Sequence, residues 1–142
     1  NRLYRKRFIK YHQKISGFSF YTASPNSSYS IYLYENVTAG KPRSGKLVKS
    51  LKGTIDEPSY YVRNFSNPIG VNQGQKFSLV VKLTTPDYNY PVPCEVRLDG
   101  LSSKAKSNPG QGFLSENGKT WYDLYDLIID TSICLKAFAE RK

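Results

Sequence analysis

The sequence predicts an all-β fold, a sandwich or barrel of about eight short strands. Three observations lead there. Of 142 residues, 12 are Tyr, 7 Phe and 1 Trp, residue types that suit a pleated, half-buried surface together with Val, Ile and Thr. Runs with strand composition recur about every 8–15 residues, with turn chemistry between them. No segment carries a convincing helical period.

The first run, residues 3–10, interleaves Leu3, Tyr4, Phe8 and Ile9 with Arg5, Lys6, Arg7 and Lys10; it reads as an edge strand guarded by its charges. Ile15, Phe18 and Phe20 mark the next strand, in which Gly17 invites a bulge or a close backbone approach. After the turn cluster at 24–28, strict alternation over 29–34 places Ile31 and Leu33 on one face and the tyrosines on the other. Residues 36–45 carry Asn, Gly, Pro and Ser and read as a loop, followed by Leu47, Val48 and Leu51 leading to Gly53. The next strand spans 59–65 and is broken by Asn67 and Pro68.

The run 76–84 is apolar almost throughout, as expected of a central strand buried on both faces. The segment 85–93 holds Pro86, Pro91 and Pro93 and cannot pair inside a sheet, whereas 95–98 alternates again. Asn117-Gly118 between β-type flanks is a strong hairpin signal. Residues 122–127 form one helical turn or a loop, and 133–138 form a closing strand. The expected core comprises Phe20, Ile31, Leu33, Phe77, Leu79, Val81, Leu98, Phe113 and Leu135.

Length and composition narrow the function. The chain has the length of one domain, 1–142, and its beginning without Met or an apolar leader reads as a mature fragment or a domain excised from something longer. A membrane span needs roughly 18 or more apolar residues in a row, and none runs that long. One His, two Cys and no Met exclude Cys/His zinc sites and multi-histidine metal centres. His12 is the sole imidazole and nothing in its neighbourhood in sequence orients it, so nucleophilic catalysis has no base. Carboxylate pairs drawn from Asp87, Glu95, Asp99, Asp123, Asp126 and Asp130 could flank a glycosidic bond, but their separation is not legible. The expectation is a domain that is not an enzyme.

The net charge is +10, with basic residues gathered in 2–14 and 41–52. Such segments either dock an anionic polymer or are a solvated surface, and nucleic acid is the minority reading. Tyr88, Tyr90, Trp121 and Tyr122 lie in or beside loops and are the candidate ligand platform, since an aromatic face stacks on a sugar or a base. The alternative, that Trp121 plugs the core and Tyr88 and Tyr90 pack their own loop, stays open. Glu35, Asp87, Asp123, Asp126 and Asp130 are the pool from which a structural calcium would draw ligands, or else they solvate their loops. Cys94 and Cys134 would pair in an oxidising compartment if their strands are neighbours; two buried thiols are the alternative. Asn26, Asn36 and Asn64 head N-x-Ser/Thr triplets in turns or at strand ends.

Four stretches in order carry a resemblance. They are Tyr29-Ser-Ile-Tyr-Leu-Tyr-Glu-Asn; Val71-Asn-Gln-Gly-Gln-Lys-Phe-Ser-Leu-Val-Val-Lys-Leu-Thr-Thr-Pro-Asp-Tyr-Asn-Tyr-Pro-Val-Pro; Gly110-Gln-Gly-Phe-Leu-Ser-Glu-Asn-Gly-Lys-Thr-Trp-Tyr-Asp-Leu; and Cys134-Leu-Lys-Ala-Phe. From about residue 14 to 138 the chain resembles the lectin-like domain of clostridial and archaeal surface proteins, which commonly follows a papain-type cysteine peptidase domain. The papain-type Cys-Gly-x-Cys-Trp segment is absent here. The resemblance implies a jelly-roll-type antiparallel β-sandwich similar to carbohydrate-binding modules, a bound Ca2+ in some members, and an extracellular or cell-surface location. It also implies an accessory role beside an adjacent peptidase domain, binding glycan or an anionic cell-wall polymer. A structural spacer that orients the peptidase domain without a ligand is the alternative, and nonspecific polyanion binding a further one.

Overall fold

A computed structural model of the chain describes residues 2–8, 13–22, 25–71, 74–84, 94–96, 110–127, 131–133 and 135–141. The strands are β1 (Arg2–Phe8), β2 (Gln13–Thr22), β3 (Ser27–Glu35), β4 (Lys46–Ile55), β5 (Ser59–Val71) and β6 (Lys76–Thr84) in the first part of the chain. Then come β7 (Cys94–Val96), β8 (Gly112–Ser115), β9 (Tyr122–Asp123), the single helical turn α1 (Leu124–Leu127), β10 (Thr131–Ile133) and β11 (Leu135–Arg141). They form a six-stranded antiparallel sheet ordered β4-β3-β6-β1-β8-β9, a three-stranded sheet β11-β2-β5 and a pair β10-β7.

The two larger sheets face each other. Phe18 and Phe20 of β2, Phe65 and Val71 of β5 and Leu135 of β11 pack in one cluster with Ile31 and Leu33 of β3 and Phe77, Leu79, Val81 and Leu83 of β6. Strand side chains alternate between faces, so this set is the inner face of a jelly-roll-type sandwich. The apolar run of β6, central in its sheet between β3 and β1, is buried on both faces: Phe77, Leu79, Val81 and Leu83 lie in the inter-sheet core, and on the other face Val80 packs with Tyr34, Val37 and Phe113 while Ser78 is buried under Pro42. Gly17 is the close approach the sequence signalled: a Cβ there would strike the carbonyl of Arg63 in β5.

Five expectations are corrected. The basic strand β1 is no edge: it lies between β6 and β8, with Leu3 opposite both Val81 and Leu114. Interleaved charge does not by itself mark an edge; the edges of the large sheet are β9 and β4, and β4 carries Lys46, Lys49 and Lys52. Tyr29 sits on the core face with Ile31 and Leu33, not with Tyr32 and Tyr34. Room for its phenol comes from Gly53, directly opposite on β4, where a Cβ would overlap the ring.

β5 does not stop at Asn67 and Pro68. Its register against β2 shifts between Ile15 and Gly17, whose partners are Ile69 and Asn64, so residues 65–68 are taken up in an irregularity on an edge strand. Proline is tolerated there because no ladder donor is required of it. The closing strand is two strands: β10 pairs with β7, and β11 crosses to pair with β2. Phe113 is buried, but behind the large sheet in a second cluster with Tyr34, Val37 and Val80. Leu98 lies outside the described residues.

Candidate functional site

The second cluster is the floor of the site. Alternation that turns Ile31 and Leu33 inward turns Tyr32 and Tyr34 outward, where they meet Val80, Phe113, Val37 and half-buried Trp121. Two loops fold over this floor.

The first, residues 36–45, leaves β3 at Asn36, whose φ of +56° lies in the left-handed region that Asn tolerates better than most residues. Val37 N donates to Lys76 O at 3.0 Å, and Lys41 N to Thr38 O at 3.0 Å. Ser44 Oγ accepts from Thr38 N and donates to Lys41 O, both at 2.7 Å. Ser78 Oγ of β6 donates to the carbonyl of buried Pro42. The loop is thus tied to the strands beneath it.

The second loop, 116–121, joins β8 to β9. A two-residue turn of type I′ would need positive φ at both Asn117 and Gly118; only Gly118 has it, at +72°. Phe113 instead pairs with Asp123 and Leu114 with Tyr122. Asn117 Oδ1 accepts from the backbone N–H of Lys119 and Thr120, each at 2.8 Å, and Ser115 Oγ accepts from Gly118 N at 2.8 Å. Asn117 therefore organises a wider loop through its side chain.

Arg43 joins the two loops. Its Nε donates to Tyr34 Oη at 3.0 Å, its Nη1 to Gly118 O at 3.4 Å, and its guanidinium carbon stands 5.9 Å from the centroid of the Tyr32 ring. Beside it opens a pocket of about 610 Å3, walled by Gly40 to Ser44 on one side, Gly118, Lys119 and Trp121 on the other, and Tyr34 below. Among the described residues the wall carries Lys41, Arg43 and Lys119 and no carboxylate. An aromatic wall with fixed cations can hold a ring-shaped ligand and pair with an anion on it.

A different arginine closes the sandwich seam. Arg63 of β5 donates through Nη1 to Tyr29 Oη at 3.1 Å and to Tyr61 Oη at 3.4 Å, and the two phenols are 3.1 Å apart. Burial pushes the Tyr29 phenol above its ordinary value, whereas the hydrogen bond with Tyr29, helped by Arg63, pulls Tyr61 below. The same phenols hold Arg63 more firmly protonated.

Of the aromatic candidates, Trp121 lines the pocket. Tyr122 is 54% exposed and pairs with Leu114, which packs on the inter-sheet core, so it belongs to the other face at the sheet margin. Tyr88 and Tyr90 lie outside the described residues. Asp123 caps α1: Oδ1 accepts from Tyr125 N at 3.1 Å and Oδ2 from Gly110 N at 2.6 Å. Glu35 is half-buried at the end of β3 and Asp126 is exposed on α1; Asp87 and Asp130 lie outside the described residues. Among the described residues no three Asp, Glu, His or Cys side chains come together, so Glu35, Asp123 and Asp126 do not by themselves form a calcium shell. Cys94 begins β7 opposite Ile133; Cys134 and His12 lie outside the described residues.

Tyr34, Lys41, Arg43 and Lys119 escaped the sequence reading as site residues. The outward face of Tyr32 and Tyr34 was legible by alternation, and Arg43 stood out only as one of a basic run. What joins Arg43 to Gly118 is a contact across 75 positions, which no local pattern encodes.

A family model described as a lectin-like domain matches residues 8–139. The chain belongs to that family. Two solved structures are similar to this lectin-like domain in fold. One holds the cysteine protease and lectin-like domains of Cwp84, a surface layer associated protein of Clostridium difficile: TM-score 0.69, 21% identity, covering 100% of this chain and 33% of that one. The other is the clostridial cysteine protease Cwp84 after propeptide cleavage, with TM-score 0.69, 21% identity and coverage of 100% and 36%. The lectin-like domain thus spans about a third of the length of those chains. A comparison with curated protein sequences gives no match. Among the described residues no helix is long and apolar enough to cross a membrane.

Proposed function

We propose that this lectin-like domain is a non-catalytic accessory module of a secreted or cell-surface protein, a cysteine peptidase by analogy with Cwp84, and that it holds glycan or cell-wall polymer in the pocket beside Arg43. The observation that carries the reading is the pocket itself: Trp121 and Tyr34 with three cations, on loops fastened to the sheet. Such a preset frame suits binding, because little ordering is left for the ligand to impose. The serine hydroxyl in the wall, Ser44 Oγ, accepts from Thr38 N and donates to Lys41 O, a loop-fastening role that supports a reading without catalysis.

The test is a glycan and cell-wall polysaccharide array probed with the purified domain in moderate salt, with calcium and again with chelator. Selective binding that is lost in Trp121→Ala supports the reading; silence from well-folded protein ends it. A structural calcium belongs to the same reading, with Asp87 and Asp130 as the acids left to complete a shell. A melting temperature raised by millimolar calcium and lowered by chelator is the expected result; an unchanged one removes the ion.

A second reading is favoured by a different surface. On the outer face of the three-stranded sheet Tyr21 pairs with Tyr60, and Val62 follows on the same side, with exposures of 36%, 53% and 54%. That patch suits packing against a peptidase domain, the role of a spacer that orients its neighbour.

A further inference from the structure

We propose that the pocket selects saccharides that carry a carboxylate, an inference that rests on the glycan-binding reading above and narrows it. Among the described residues every charged side chain in the wall is positive: Lys41 and Lys119 line it with Arg43, and no Asp or Glu of that set joins them. Three cations gathered round a concavity repel one another, and an anion in their midst turns that repulsion into attraction.

Arg43 supplies the geometry. A guanidinium has five N–H donors in a rigid fork, of which one Nε and one Nη1 hydrogen are used on Tyr34 and Gly118. The remaining donors, those of Nη2 included, have no partner among the described residues and are left for a ligand. Because the fork is held at two edges and lies over Tyr32 at cation–π distance, it meets a planar carboxylate with less side-chain freedom left to lose. Tyr34 Oη accepts from Arg43 Nε and keeps its own O–H to donate, so one carboxylate can be met by the phenol and the guanidinium together.

The half-buried Trp121 ring argues for a sugar behind the anion. An aromatic wall gives the C–H face of a pyranose a surface to lie on, whereas a plain poly(glycerol phosphate) chain has no ring to offer. The volume, about 610 Å3, falls within the roughly 300–1,000 Å3 usual for small-ligand sites.

The experiment is calorimetric titration of the full chain with an oligogalacturonate and a glucuronic-acid oligosaccharide, each compared with its carboxyl-reduced neutral form, at about 150 mM salt so that diffuse attraction is screened. The acidic form of at least one pair is expected to bind about tenfold or more tighter than its neutral form, as charge-assisted hydrogen bonds allow. Arg43→Gln should abolish that preference, and Lys119→Ala, whose side chain supports neither loop, should reduce it about two- to threefold. Urea midpoints of both variants establish that they fold, and Lys119→Ala keeps the test alive if Arg43→Gln does not. Neutral forms binding as tightly as acidic ones overturn the carboxylate while leaving glycan binding intact. No binding of either form overturns both. Poly(glycerol phosphate) displacing the acidic sugars at lower concentration overturns the carboxylate in favour of phosphate.

Discussion

Two arginine–tyrosine clusters lie on opposite faces of β3. On the inner side Tyr29 meets Tyr61 and Arg63; on the outer side Tyr32 and Tyr34 meet Arg43. Residue types and distances are nearly the same, and the surroundings differ. The Tyr29 ring stands 5.3 Å from both Phe20 and Tyr61, and Phe18 meets it edge-on at 6.5 Å, so that Arg63 closes a seam of packed rings. Arg43 instead stands over a thin apolar floor, shares its space with two lysines, and opens on a cavity. The lesson is that an Arg–Tyr pair has no function of its own: rings around it make it a clasp, and unbalanced charge around it makes it a receptor.

The comparison is broken most easily through its aromatic rings. Phe20 is fully buried, so Phe20→Ala should lose about 3–5 kcal/mol in urea denaturation. Trp121→Ala, half-buried over the outer floor, should lose about 1–2 kcal/mol, since roughly half the side chain is removed from water. Equal losses would mean that Trp121 is core and no wall.

Gly53→Ala strikes the seam alone. Its new methyl overlaps the Tyr29 phenol, and displacing that ring should cost about 1–3 kcal/mol without changing ligand binding on the outer face. A change in both would show the two faces of β3 to be coupled.

Smaller still is the loss of the clasp itself. Arg63→Gln should cost about 1 kcal/mol of stability, the usual net worth of such hydrogen bonds, while binding in the pocket persists. Thermal melts paired with titration separate the two outcomes.

The finest distinction is alkaline. Tyr29 is held above the ordinary tyrosine value by burial, so its contribution to stability is complete below about pH 10 and drains away as pH rises through its folded value. Tyr61 is lowered, so its contribution is complete above about pH 10 and is lost as pH falls through its folded value. Tyrosinate absorbance should therefore show Tyr61 ionising early and Tyr29 late. Tyr61→Phe should delete the early one; an unchanged early phase would place it elsewhere.

Much of the fold was legible because it is written in period-two alternation. Ile31, Leu33, Phe77, Leu79 and Val81 went to the core as their spacing required, and Gly17 met a neighbouring backbone. Failures came where the deciding partner is distant in sequence. β1 is interior because β8 arrives 110 positions later opposite Arg2 and Arg5, and Pro68 stays in a strand because that strand is an edge; Tyr29, two and four positions from Ile31 and Leu33, faces inward as period two itself requires, and Gly53 gives its ring room. The site was less legible than the fold. Trp121 was visible as an aromatic beside a loop, but the cations that accompany it come from two loops whose meeting depends on one Arg43 contact across the sheet.

The bolting of the first loop to β6, through Val37 N on Lys76 O and Ser78 Oγ on Pro42 O, has a kinetic meaning. A mouth that is already formed makes no ligand wait for a closure, so association should run at or above the ordinary docking rate of about 10^5–10^7 M−1 s−1, the cations drawing an anion in. Sugars that differ in affinity would then differ in how long they stay. Residence time, not capture, becomes the quantity that evolution can adjust at this mouth, one wall residue at a time.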